Sequence, residues 1–88
     1  MLCKEVTLAN AEGFHMRPAG AFAKEMEKFV SDVTLITDDR TVNGKSLMNI
    51  MAAGIKGGSL ITVRCEGPDE AEALARAADL IENGLKGL

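Results

Sequence analysis

The fold turns on "SLITVRCEGPDEAEALARAADLIENGL", Ser59 to Leu85. Its first part alternates, with Ile61, Val63 and Cys65 on one side of an extended chain, and that side is taken as inward. After Gly67 and Pro68 the period changes from that of a strand to that of a helix. Asp69 with Glu72 has the spacing of a capping box, Ala71, Leu74, Ala78, Ile81 and Leu85 trace a buried stripe, and Asn83-Gly84 supplies the stop. A strand over Ser59–Cys65 running into an amphipathic helix implies a sheet with helices laid on it.

Working outward, "LCKEVTL" (Leu2 to Leu8) puts Leu2, Val6 and Leu8 at even spacing and predicts a half-buried strand. From Pro18 a helix is expected, with Ala19, Phe22, Ala23, Met26 and Phe29 or Val30 inward and Lys24, Glu25, Glu27 and Lys28 on the other side. Asp32–Thr37 is β-branched and alternating; Asp38–Arg40 turns the chain, and Thr41–Asn43 returns it as a hairpin. Ser46 can cap a short helix running to Ala52 or Ala53, ended by Gly54, Gly57 and Gly58. The order is strand, helix, strand, strand, helix, strand, helix. It predicts an α+β open-faced β-sandwich, a four-stranded antiparallel sheet with three helices packed on one face.

The 88 residues are expected to form a single domain, 1–88, whose last residues, Lys86 to Leu88, fray. With only three phenylalanines as aromatics, the core must come from Val, Leu, Ile, Ala and Met. A net charge of −3 without a Lys/Arg cluster argues against nucleic acid as a partner. The opening "MLCKEVTL" lacks the apolar run of a signal peptide and no stretch reaches membrane length, so a cytoplasmic protein without membrane insertion is expected. In that compartment Cys3 and Cys65 read as reduced thiols. A single histidine and no CxxC pair give no reason to expect a structural zinc.

That single histidine sits in "EGFHMRPAG", Glu12 to Gly20. His15 falls between the first strand and the first helix, where unsatisfied N–H groups and the helix dipole favour an anion. A neutral imidazole is a good nucleophile, and the ordinary imidazole pKa of about 6.5 leaves most of it neutral near pH 7. A phosphoryl group on a ring nitrogen would find the N–H groups of the helix start and the planar fork of Arg17, while Gly13 permits the tight turn that presents the ring. On local pattern alone the plainer reading, an exposed imidazole at a helix start, stands ahead. No second histidine and no serine or cysteine elbow offers a triad.

Two motifs together change that balance. "GFHMRPAG" resembles the active-site signature of HPr, the histidine-containing phosphocarrier family of the bacterial phosphotransferase system, and "NGKSLMNIMAAGIKGG" resembles the family's second signature. Their separation, the chain length and the element order also match.

The resemblance implies a phosphocarrier, rather than a stand-alone enzyme, that needs no cofactor. Its His15 would take a phosphoryl group on Nδ1 from phosphorylated enzyme I and pass it to the A domains of sugar permeases, with Arg17 stabilising the charge and Pro18 opening the helix. By the same resemblance Ser46 is the regulatory serine, which would bring in an HPr kinase/phosphorylase and a catabolite-control transcription factor. Lys24, Lys28, Leu47, Met48 and Met51 would belong to the docking face of a monomer. Leu47, Met48, Ile50 and Met51 are also more apolar than one buried stripe needs, so some of them should be exposed. A nitrogen-related carrier is the alternative within the family. Glu12, Phe14 and Met16 depart from the family pattern, and the carboxylate of Glu12 is expected to favour an imidazolium and oppose a phosphoryl dianion.

Overall fold

The elements follow the expected order: β1 (Leu2–Thr7), α1 (Met16–Met26), β2 (Asp32–Thr37), β3 (Arg40–Asn43), α2 (Leu47–Ala53), β4 (Leu60–Glu66) and α3 (Glu70–Glu82). The computed structural model describes residues 1–86 and 88. Of the expected frayed end Lys86–Leu88, Gly87 lies outside the described residues. The sheet order is β1-β4-β2-β3, antiparallel throughout. The last strand is therefore central, and β1 and β3 form the edges.

Period-two alternation sets the register. Val6 lies opposite Ile61, Val33 opposite Cys65, and Leu35 opposite both Val63 and Val42. All seven side chains are buried. A slip of one residue would turn this whole set outward, so core burial specifies the pairing. Onto this face pack Ala19, Phe22, Ala23 and Met26 of α1, Ile50 of α2, and the inner residues of α3. Phe22 meets Phe14 edge to face, with ring centroids 5.4 Å apart. Cys3, Thr34, Ile36, Thr41, Thr62 and Arg64 occupy alternate positions and so share the uncovered face.

Of the stripe expected for α3, Ala78, Ile81 and, just past the helix, Leu85 are buried, Leu74 is half-buried and Ala71 is exposed, while Ala73, Ala77 and Leu80 join the core in addition. Small side chains at 73 and 77 let the helix lie close to the sheet, and this turns position 71 outward.

The capping box is replaced as well. Asp69 makes no side-chain cap bond. Its carboxylate instead accepts from the Val30 N–H at 2.9 Å, the Ser31 N–H at 2.9 Å and the Ser31 hydroxyl at 2.5 Å. Glu70 takes the Gly67 N–H at 3.1 Å. The helix start has become a clamp on the α1–β2 loop.

Smaller differences have local causes. Helix α1 begins at Met16 rather than Pro18, because His15 already takes the N-cap position. Phe29 is half-buried against the core while Val30 is exposed. Leu2, at the start of an edge strand, is exposed, and Leu8 is buried although β1 ends at Thr7. The hairpin turn shortens to Asp38-Asp39, since Arg40 pairs with Thr37. Arg40 Nη1 then donates to the carbonyls of Ala52 and Ala53, at 3.1 and 3.2 Å, which α2 leaves unpaired at its end. Gly54 closes that helix in the left-handed region, at φ 61°. No helix among the described residues is long and apolar enough to cross a membrane.

Candidate functional site

The loop from β1 to α1 is fixed before the histidine is reached. Asn10 accepts the Glu12 N–H on its Oδ1 at 2.9 Å and donates to the Gly13 carbonyl at 3.2 Å, while its own carbonyl takes the Gly13 N–H at 3.1 Å. The loop is tied outward at three points. Ala9 N–H bonds the Ile81 carbonyl at the end of α3, Phe14 N–H bonds the Ile55 carbonyl after α2, and Gly58 N–H bonds the Leu8 carbonyl. Gly13 sits at φ 74°, and a Cβ there would run into the Ile55 carbonyl. Only glycine fits both the angle and the approach.

Phe14 is buried in the core, so the next residue points away from it. His15 is the N-cap of α1, with extended backbone and a side chain 48% exposed that makes no cap hydrogen bond. Its carbonyl takes the Ala19 N–H, which starts the helix. Among the described residues the Met16 and Arg17 N–H groups donate to no protein acceptor, and Pro18 has none to give. The anion-ready donors at this helix start are therefore those of Met16 and Arg17.

His15 stands between two shallow hollows. One is shared with Asn10, Arg17, Pro18 and, from the chain beyond α3, Lys86. The other is shared with Glu12, Met51, Gly54 and Lys56. Glu12 Oε2 lies 3.6 Å from His15 Nε2, longer than a hydrogen bond. An exposed nucleophilic ring, two open helix N–H groups and a guanidinium on the same hollow can bind and hold a tetrahedral anion.

Ser46 is the N-cap of α2. Its Oγ accepts from the Asn49 N–H at 3.2 Å and from the Asn49 side chain at 3.1 Å. Leu47 reaches α1 at Gly20, where an added Cβ would touch its Cδ1 at 3.8 Å. The four apolar residues of α2 divide as their number suggested: Ile50 is buried, Leu47 and Met51 are half-buried, and Met48 is exposed. Lys24 is exposed, whereas Lys28 pairs with Glu25 at 2.7 Å. Glu25, expected on the solvent side, also accepts from Arg76 at 3.1 Å and so ties α1 to α3. The hydrogen bond from Lys28 and that from Arg76 hold the Glu25 carboxyl below its ordinary pKa, against the opposing effect of burial.

Sequence reasoning did not find Asn10, Lys56 or Lys86. The Asn-x-x-Gly spacing of Asn10 and Gly13 carries a turn signal that points to the first. The two lysines reach the hollows through chain packing that no local pattern encodes.

The family model described as "PTS HPr component phosphorylation site" matches residues 2–83. The chain belongs to the HPr family. It is 40% identical over 83 residues to the phosphocarrier protein HPr of Xylella fastidiosa (strain Temecula1), covering 94% of this chain and 93% of that protein. It is 42% identical over 74 residues to that of Buchnera aphidicola subsp. Acyrthosiphon pisum, covering 84% and 87%. Among solved structures, HPr from Thermoanaerobacter tengcongensis is similar with a TM-score of 0.91 at 36% identity, covering 97% of this chain and 96% of that one. The chain is thus an HPr phosphocarrier of the phosphotransferase system, with the open-sheet architecture of its structural neighbours.

Proposed function

We propose that His15 is the phosphoryl acceptor, that it takes the group on Nδ1 from phosphorylated enzyme I in the cytoplasm, and that it passes it to the A domains of sugar permeases. The observation that carries this reading is the exposed imidazole at the N-cap of α1, beside the unpaired Met16 and Arg17 N–H groups and the Arg17 side chain. Among the described residues the hollows beside the ring hold no serine, cysteine or second histidine, which suits a carrier: its partners complete the transfer site, and the bond it holds must be easy to make and to give up. The names of the relatives favour the sugar carrier over the nitrogen-related one. Incubation with enzyme I and phosphoenolpyruvate should label the protein with an acid-labile, base-stable phosphate that is lost in His15→Ala. An unlabelled wild type overturns the reading.

Ser46 supports a second role on the same face. Its hydroxyl accepts but donates to nothing among the described residues, and Met48 beside it is exposed. A phosphate there would add about two negative charges next to α1 and change which partners dock. Lys24, Leu47, Met48 and Met51 form the proposed docking face of a monomer that meets those partners one at a time. An HPr kinase with ATP should give an acid-stable phosphate lost in Ser46→Ala, and a negative result removes this role together with its transcription-factor partner.

A further inference from the structure

The geometry points to Glu12 as a positioning residue that holds the proton on His15 Nε2, leaving Nδ1 as the attacking nitrogen and keeping the phosphorylated ring in its transferable form. This rests on the carrier reading of His15 and adds a residue to it.

Glu12 is not placed by chance. Its backbone is pinned by the bond to Asn10 Oδ1, and the following Gly13 is held by Asn10 on both its N–H and its carbonyl. The carboxylate stands three residues before the ring and faces Nε2 at 3.6 Å. At 79% exposure, its side chain can close the remaining gap by rotation. A carboxylate has only acceptors, so it favours an N–H on the ring nitrogen it faces. The lone pair then resides on Nδ1, which has no donor or acceptor among the described residues.

The step balances as follows. The Nδ1 lone pair attacks phosphorus, a P–N bond forms, and the bond from phosphorus to the donor breaks, its electron pair leaving with the donor. The proton on Nε2 stays, so the ring becomes a phosphoimidazolium whose positive charge faces Glu12. Protonated phosphoimidazole is the form with a good leaving group, and a nearby opposite charge favours it. The cations of the surroundings, Arg17 and Lys86 on one hollow and Lys56 on the other, oppose ring charge. Glu12 supplies a carboxylate that offsets them.

The test separates charge from acceptor and needs no partner protein. In mildly alkaline buffer, well above the ordinary imidazole pKa of about 6.5, 15N NMR of the unmodified ring reads the tautomer. Glu12→Ala should lower the Nε2–H fraction, and Glu12→Gln, which keeps an acceptor oxygen, should restore it. Phosphoramidate then phosphorylates His15 chemically, releasing ammonia. Hydrolysis of the phosphohistidine should slow about two- to fivefold in both variants, the scale of an exposed ion pair. Unchanged tautomers in Glu12→Ala, or unchanged hydrolysis in Glu12→Gln, overturns the assignment. Failure of enzyme I to label the wild type would instead overturn the carrier reading, so the two failures are told apart.

Discussion

At the scale of single residues, the proposed phosphoryl site combines one constrained backbone angle with one planar cation. Gly13→Ala puts a methyl group at a left-handed angle and against the Ile55 carbonyl. It should cost about 1–3 kcal/mol of stability and lower phosphotransfer as the loop shifts, checked by thermal melting and by label uptake from enzyme I. Arg17→Lys keeps the charge but not the fork. Phosphoryl uptake should fall about tenfold or more with the melting temperature unchanged, since a bond to a charged group is worth about 1.5–3 kcal/mol. The placement of His15, Arg17 and Ser46 beside helix starts was legible in the sequence because each sits in a motif with its own cap and turn signals. Lys86 and Lys56 were not, because their nearness to His15 comes from the end of α3 and the loop after α2 folding back to the β1–α1 loop.

At the scale of elements, the start of α3 shows what sequence spacing leaves open. Asp69-x-x-Glu72 reads as a capping box, yet the carboxylate is claimed by Val30 and Ser31, which lie far away in sequence and adjacent in space. Local spacing records which groups can bond and is silent on a better-placed distant donor. The buried stripe of α3 gained Ala73, Ala77 and Leu80 and lost Ala71 for a related reason, since alanines on two sides of a helix leave its rotation to be settled by the sheet. The Ser31 hydroxyl, followed by the N–H groups of Val30 and Ser31, holds the Asp69 carboxyl down to about 2, from an ordinary 3.8. Because the folded-state value is the lower one, its stabilisation is full above about pH 4 and is lost as pH falls through about 2. Asp69→Asn should therefore flatten the fall in melting temperature over that window. Ser31→Ala, at a buried position, should cost about 1 kcal/mol, or roughly 4–8 °C in melting temperature.

At the scale of the whole molecule, the antiparallel sheet with helices on one face follows from the hydrophobic alternation together with the short hairpin, whereas the strand order β1-β4-β2-β3 does not. The pairing of β1 with β4, with two helices and a hairpin between them in the chain, was not written in any single segment. It follows once β4 must be buried on one face and hydrogen-bonded on both edges. Leu35, fully buried between Val63 and Val42, sits at the centre of that arrangement. Leu35→Ala should cost about 2–5 kcal/mol, a large part of the about 5–15 kcal/mol that holds such a domain together, and denaturant melts should show it. The bare side of the sheet has a practical use. Cys3 is exposed there, while Cys65 is buried and its thiol is pushed up to about 11 by that burial. The native chain thus offers one addressable thiol on the side away from the helices. A fluorophore coupled at Cys3 would report the tumbling of the carrier as partners come and go, with the imidazole left untouched.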